Sequence, residues 1–451
     1  MRNALICMIL PLLVAATASS QPVTLTLDKA VDIAIQKNTS VIQARNNLSA
    51  QQYGVTAAEG GLLPSFEADA SFSRSEQWKA TPGFSIQGDQ LVPNPGFAPS
   101  NSYNTGVRGS IVLFNGFANT SNISYAQSNA NASEYTLDRV QQTTVNQTNV
   151  SFLYVFRTYE LMKVSNDNLE RDKKQLERIV ESNKVGALAL ADVYRQQAQV
   201  GADEFALIQA QNTHEKAKAD MIAFLGIDVG REYTFDFTGI PSDIDTTEFA
   251  PLNAKYSDYQ TLVGTAIGKR PDYQGSVETL NGADASVSMA RASYLPTISA
   301  SGSFGYSGFD NVTGSNYLTD NRSLGISLSA SLPIFNGFSR ENQIEQAQVG
   351  RMNAEELVKQ NGRQVRVDVR KALLDLEAAE KEVKVSQTTI TSALMDRQIA
   401  EEKYNLGSGT LLDLLTASAN YTIAVSNKVS GVVDYLTAKK QMEYVLGVIV
   451  R

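Results

Sequence analysis

The chain has 451 residues, of which 43% are hydrophobic and 19% charged, which excludes both a disordered chain and a bundle of membrane-spanning helices. Its 39 basic and 47 acidic residues give a formal net charge of −8, which argues against a nucleic-acid-binding surface. One histidine and one cysteine exclude a disulfide framework and most familiar metal sites. With no nucleophile beside a base and no phosphate-binding loop, we expect neither an enzyme nor a cofactor.

Residues 1–20 have the features of a secretory signal peptide. Arg2 precedes an apolar run over residues 4–16, and small residues follow at 16–20. The run is shorter than the ~20 residues that a membrane-spanning helix needs, so a membrane anchor is the weaker alternative. Cys7 lies within the run, and we therefore expect an exported protein without cysteine.

The next segment, 21–226, contains a helix, a β-hairpin and two further helices. Residues 28–60 lack proline and predict a helix, and a hairpin is predicted at about 63–114. Its first strand alternates apolar and polar residues from Phe66 to Ser73, which is typical of a barrel strand or of a soluble hairpin with one buried face. Prolines between the strands predict a long exposed loop: Pro82, Pro93, Pro95 and Pro99.

A very long helix follows the hairpin. Residues 117–185 contain no proline and would extend about 100 Å at about 1.5 Å per residue. Gly186 ends this helix, a tip segment covers 185–193, and a second helix covers 190–226. Residues 227–258 contain two prolines and predict a linker part-way along the helices.

The chain then repeats itself. The Phe-Asn-Gly-Phe sequence at 114–117 recurs at 335–338, and Gly186 and Asp192 correspond to Gly407 and Asp413, all 221 positions apart. Upstream, Leu63-Pro64 recurs at 295–296, an offset of 232, so a loop of the first copy is longer. The second repeat, 259–451, therefore has a hairpin at about 295–335, a long helix over 338–406, a tip over 404–415 and a helix over 411–449.

The long helix of the second repeat has a heptad seam. Its apolar residues step by four and three positions, which predicts coiled-coil packing. They are Val365, Val369, Ala372, Leu376, Ala379 and Val383. This seam alone also fits a structural coiled-coil spacer at the cell surface.

Two hairpins per chain provide four strands, which are too few to close a barrel in lipid. We therefore predict an α+β membrane protein whose trimer forms a twelve-stranded β-barrel, continued by a long α-helical barrel and built from two tandem repeats.

The most specific sequences are Pro-Ile-Phe-Asn-Gly at 333–337 and the segment 404–415, which contains Gly407-Ser408-Gly409 and Asp413. With the signal peptide and the duplication, they resemble the TolC-like outer-membrane efflux protein family over essentially the whole exported chain. The resemblance implies a homotrimer in outer-membrane lipid with a large periplasmic portion. It also implies a periplasmic adaptor and an inner-membrane transporter of the RND, ABC or MFS type as partners.

By the same resemblance the two tips form the periplasmic entrance. Asp192, Tyr404 and Asp413 match gate and constriction residues. The residues expected to contact the adaptor are Gly186, Ala187, Leu188, Leu190, Gly407, Gly409 and Leu411. Gly409 stands where the family's best-studied arrangement has an arginine, and Thr416 where it has a second aspartate, so the acidic constriction should be thinner. Both aspartates could instead be first-turn carboxylates that oppose the dipole of the following helix.

These features predict a passive exit duct for small molecules and drugs. A type I protein secretion channel is the alternative within this class, and the coiled-coil spacer is the alternative from another class. His214, in the middle of a charged helical segment, is predicted to be an exposed surface residue.

Overall fold

The computed structural model describes residues 23–78, 83–93, 97–309 and 322–448. The predicted signal peptide at 1–20 lies outside these residues. The helices are α1 (Leu27–Lys37), α2 (Thr39–Gly60), α3 (Ala118–Lys184), α4 (Leu190–Phe224), α5 (Phe249–Lys255), α6 (Tyr259–Lys269), α7 (Pro271–Arg291), α8 (Ser339–Asn405) and α9 (Leu411–Val445). The strands are β1 (Val23–Leu25), β2 (Ser65–Trp78), β3 (Phe84–Gln87), β4 (Gln90–Pro93), β5 (Phe97–Asn115), β6 (Tyr233–Phe235), β7 (Thr297–Phe309) and β8 (Arg322–Ser331).

The two repeats have helices of equal length. Helices α3 and α8 have 67 residues each, and α4 and α9 have 35 each. Each long helix follows a strand through two consecutive residues with positive φ, Gly116-Phe117 and Gly337-Phe338. Such a turn redirects the chain sharply, and the paired phenylalanines of each turn contact edge to face, with ring centroids 5.4 and 5.6 Å apart.

The helix predicted over 28–60 is divided in two at Asn38. Asn38 has an extended backbone, its side-chain oxygen accepts a hydrogen bond from Ser40 N (2.9 Å), and its Nδ2 donates to Phe224 O (2.8 Å). The residue therefore caps α2 and attaches it to the end of α4, which the local sequence pattern did not indicate.

The main sheet has four antiparallel strands in the order β2–β5–β7–β8, with β2 and β8 at its edges. The two hairpins have equivalent registers: Ser65 pairs with Ser110, and Thr297 with Ser331. On β8 the apolar residues Leu324, Ile326 and Leu328 are all exposed. The serines of the opposite face bond across the strands, as in Ser301–Ser327 (2.8 Å).

The proline-rich segment between β2 and β5 differs from the predicted long loop. Strand β2 extends to Trp78, β5 begins at Phe97, and β3 and β4 form a small antiparallel hairpin between them. The alternation rule did not detect this hairpin because each of its strands has only four residues.

The core lies among the helices rather than under the sheet. All six predicted seam residues of α8 are buried and pack with residues of α9, α6 and the linker, including Val432, Tyr435 and Phe249. In the first repeat, β1 pairs in parallel with β6 of the linker, and Leu25 packs beside Phe152 of α3. The linker therefore packs against the long helix of each repeat.

Within the described residues, no helix has both the length and the apolar character needed to cross a bilayer.

Candidate functional site: the two helix tips

The first tip, residues 185–193, is a tight helical turn closed by the chain itself. Gly186 has φ +77°, and its N–H donates to Asn183 O (2.9 Å). Ala187 N donates to Ser182 O (2.9 Å), and Asn183 Nδ2 donates to Leu188 O (2.7 Å). The two backbone bonds satisfy carbonyl groups at the end of α3, as a left-handed glycine cap normally does.

The second tip, residues 404–415, reverses in the same way. Gly407 has φ +69°, and the N–H groups of Ser408 and Gly409 both donate to Lys403 O, at 2.9 and 3.1 Å. A Cβ atom at Gly409 would lie 3.0 Å from Lys403 Cβ, whereas one at Gly186 or Gly407 would meet nothing within 4 Å. The two tip glycines are therefore required by backbone conformation, and Gly409 by the close approach of α8.

The tips differ in how the following helix begins. Thr410 Oγ1 accepts from Asp413 N (3.2 Å), and the Asp413 carboxylate accepts from Thr410 N (3.1 Å), which completes a capping box. At the first tip the equivalent position is Ala189, which has no side-chain cap.

Asp413 is exposed, and the hydrogen bonds from Thr410 lower its pKa. The carboxylate therefore caps α9 and remains ionised, so the capping role and a negatively charged entrance are compatible.

The structure brings Tyr404 of the second tip close to Asp192 of the first. Partial burial and then the negative charge of Asp192 raise the pKa of Tyr404, and the Tyr404 hydroxyl has no hydrogen-bond partner within the described residues. Asp192 itself pairs with Arg195 on its own helix (3.3 Å). The charge of Lys403, which precedes Tyr404, also lowers the pKa of Asp413.

Most of the residues expected to contact an adaptor lie at the surface of the subunit. Gly186, Ala187, Leu190 and Gly407 are exposed, and Leu188 and Gly409 are half-buried. Leu411 differs from the others, since its side chain is only 3% exposed in the subunit. Its side chain is therefore not accessible for contact with another protein.

The sequence analysis missed the charged contacts just above the tips. Arg178 of α3 pairs with Glu401 of α8 (3.5 Å), which links the two repeats. Arg171 and Arg397 both lie against the ring of Tyr421, with 5.6 and 4.9 Å to its centroid. These residues come from three helices, so no spacing along one helix could have indicated them.

The prediction for His214 was wrong. The residue is 8% exposed, and its Nδ1 lies 3.0 Å from Thr158 Oγ1 of α3. Burial, followed by the charge of Lys218, lowers the pKa of His214. Glu215 and Lys216, its neighbours along the sequence, are exposed, whereas α3 covers His214, which is why the local composition was misleading.

Comparison with known proteins places these features in a family. A family model described as "Outer membrane efflux protein" matches residues 30–227 and 262–448. The chain is 22% identical to the outer membrane protein TolC of Escherichia coli over 70% of this chain and 64% of TolC. It is 23% identical to the outer membrane efflux protein BepC of Brucella suis over 89% of this chain and 80% of BepC. The fold is similar to that of the CmeC outer membrane channel of Campylobacter jejuni, with a TM-score of 0.76, 19% identity, and coverage of 93% of this chain and 85% of CmeC.

Proposed function

Because the chain belongs to the outer membrane efflux protein family, we propose that it is the outer-membrane exit duct of a three-part export system. In this proposal three copies assemble into one passive conduit for small molecules, which catalyses no reaction. The observation that carries the proposal is a four-stranded sheet with two open edges, on the same chain as two helix tips of matching construction.

The sheet supports the assembly into a trimer. Its apolar residues lie on one face and its serines on the other, so it suits a wall between lipid and water. The open edges of β2 and β8 could not remain unpaired in lipid. Three sheets joined edge to edge provide twelve strands and leave no edge.

The repeat predicts how the edges meet. Within one subunit, β5 pairs with β7, and Val107 faces Phe304 while Arg108 faces Ser303. Applying the two offsets to this pairing places β8 against β2 of the next subunit. Leu328 then faces Phe72, and Ser329 faces Ser71, so apolar residues meet apolar residues and serines meet serines.

This register can be tested by disulfide cross-linking. We expect the double variant Ser71→Cys and Ser329→Cys to form covalent dimers and trimers on oxidation, since the exported chain is predicted to lack cysteine. The pair Ser71→Cys and Leu328→Cys is the matched control, because its side chains would lie on opposite faces. Cross-linking of the control with equal efficiency would contradict the register.

The helices would continue the conduit into the periplasm, with both tips at the entrance. The exposed tip residues would contact a periplasmic adaptor, which in turn joins an inner-membrane transporter. Three copies of Asp413 would place ionised carboxylates at the constriction, and such a ring favours cations over anions. The family match favours small-molecule efflux over protein secretion, and the choice of cargo would lie mainly with the transporter.

Single-channel recording in planar bilayers tests the conduit. We expect the purified trimer to conduct and Asp413→Asn to lose part of its cation selectivity. Asp228→Asn, an exposed carboxylate after α4, changes the net charge equally and should leave the selectivity unchanged. A trimer that does not conduct even when Asp192 and Asp413 are both replaced would contradict the duct.

A further inference from the structure

Three polar side chains are buried in the seam between α3 and α4, above the first tip. Asp172 of α3 is 8% exposed, and Gln196 and Asp203 of α4 are 0% and 7% exposed. Asp172 lies 14 residues before Gly186, which corresponds to about 20 Å along the helix. Because α4 runs antiparallel to α3, Asp203 lies at about the same distance from the first tip as Asp172.

The hydrogen bonds of this cluster leave one donor missing. Gln196 Nε2 donates to Asp172 O (3.2 Å), and Gln199 Nε2 donates to Asp203 Oδ1 (3.1 Å). The two carboxyl groups are within hydrogen-bonding reach of each other, and Asp203 Oδ2 is buried without a donor from any described residue. Carboxylates only accept hydrogen bonds, so a proton on the pair supplies the missing donor.

The charges around the pair do not neutralise it. Arg171 precedes Asp172, but its guanidinium donates to Asn168 Oδ1 (2.7 Å) and lies against Tyr421 of α9. Lys173 of α3 pairs with Glu204 of α4 (3.2 Å).

From α8, the charge of Arg397 acts on Arg171. Burial, followed by the hydrogen bond and the charge of Asp203, raises the pKa of Asp172 to about 7, while Arg171 opposes the shift.

The second repeat provides an internal comparison. The residues 221 positions after Asp172, Gln196 and Asp203 are Ala393, Ala417 and Ala424. The same place between α8 and α9 is therefore filled by three alanines, and Ala417 and Ala424 are buried there. A hairpin of this shape therefore packs without polar groups at this position, so the pair is an addition specific to the first hairpin.

We propose that Asp172 and Asp203 share one proton that fastens α4 to α3 above the first tip. The first hairpin is then held closed at mildly acidic pH and loosens above neutral pH, whereas the second hairpin does not respond. Only the consequence for export depends on the proposed function, since the pair and its proton belong to the subunit itself.

The direction of the effect follows from proton linkage. An exposed aspartate titrates near pH 4, whereas the closed seam keeps its proton up to about pH 7. The closed state therefore binds more protons than the opened state between these values, and its stability falls as the pH rises through this window. Above it, two neighbouring carboxylates remain in a buried site where the charge of Arg171 compensates them only in part.

Infrared titration of the purified full-length protein tests the proton directly. We expect the carbonyl band of a protonated carboxylic acid to disappear with a midpoint near pH 7, and to be absent from Asp172→Asn and Asp203→Asn. The variant Glu204→Gln, one residue along α4 and exposed, should keep the band. The absence of any carbonyl band with a midpoint near pH 7, or the survival of that band in both asparagine variants, overturns the proposal.

Hydrogen exchange tests whether the shared proton holds α4 against α3. After correction for intrinsic rates, the protection of α3 and α4 amides near the pair should fall about tenfold between pH 6 and pH 8, and that of α8 and α9 should not change. Asp172→Asn, and the triple alanine variant that copies the second repeat, should remove this dependence. Protection at pH 8 restored by added Ca²⁺ would identify a cation site and overturn the proposal. If hydrogen exchange changes with pH but the channel conductance does not, only the proposed effect on the duct is contradicted.

Discussion

The two helical hairpins, α3–α4 and α8–α9, have the same shape but different interiors. Their lengths agree, their tips turn at Gly186 and Gly407, and their far ends turn at Gly226 and Gly447 with φ near +70°. The lower seam of the second hairpin is apolar, with Leu411, Leu414 and Ala417 buried. The first hairpin buries Asp172, Gln196 and Asp203 in the corresponding region.

This difference shows that the fold does not require the polar residues. Close packing of alanines and leucines is sufficient for one hairpin, so the other carries groups whose packing depends on protonation. The first hairpin should therefore be the one whose stability can be adjusted, and the second the one that stays rigid. The following changes test that distinction, from the largest expected effect to the smallest.

Transferring the pair to the second hairpin should make that hairpin sensitive to pH. We expect Ala393→Asp with Ala424→Asp to lower the stability of α8–α9 at pH 8 by roughly 4 kcal/mol, because two carboxylates would share a buried site and about 1.4 kcal/mol accompanies each pKa unit. The loss should shrink toward pH 5. Denaturation followed by circular dichroism at both pH values measures it, with Ala393→Asn and Ala424→Asn as the uncharged control.

The glycines at the far ends should matter more than those at the tips. A Cβ at Gly226 would lie 2.6 Å from Lys37 O, and one at Gly447 would lie 2.9 Å from Lys269 O. We expect alanine at either position to cost about 3 kcal/mol, from left-handed strain plus overpacking, and alanine at Gly186 or Gly407 about 1 kcal/mol. Equal losses at all four positions in chemical denaturation would contradict the distinction between the two ends.

The helix caps can be exchanged between the tips. Ala189 occupies the place of Thr410, and Asp192 that of Asp413. We expect Ala189→Thr to stabilise the first tip by about 1 kcal/mol by completing a capping box, and Thr410→Ala to destabilise the second by a similar amount. Hydrogen exchange of the first turn of α4 and of α9 measures both, and no change in either turn would count against the capping geometry.

His214 should give a smaller pH effect of opposite sign. Its pKa is lowered, so the folded state binds fewer protons than the unfolded state below about pH 6.5, and stability falls as the pH drops through that value. Replacing it with phenylalanine should remove this acid-side loss. As the only histidine, it can be titrated by NMR in the intact protein, and an imidazole pKa at or above 6.5 would contradict the burial argument.

Much of the architecture could be predicted because it follows from local patterns and from duplication. Period two indicated the strands, the absence of proline indicated the long helices, and the offset of 221 aligned Gly186 with Gly407. The break at Asn38 could not be predicted, since its side chain bonds to Phe224, which is 186 residues away. The misplacement of His214 has the same origin, because burial on a long helix depends on which neighbouring helix covers that face.

Only part of the candidate site could be predicted from the sequence, for a related reason. The tip residues follow from helix-ending signals, but Asp172 and Asp203 lie on different helices and meet only through the hairpin. A signal did exist, since both polar residues correspond to alanines in the second repeat. Comparing the two halves position by position, rather than searching only for what they share, would have found the pair.

The equal length of α3 and α8 has a geometric consequence. Both begin at a Phe-Asn-Gly-Phe turn beside the sheet and run for 67 residues. The two tips therefore lie at the same distance from their turns, about 100 Å. One residue inserted into either helix would lower its tip by about 1.5 Å and rotate it by about a quarter of a turn. Gly186 and Gly407 would then lie at different distances from the sheet, and a partner that binds both tips would have to tilt.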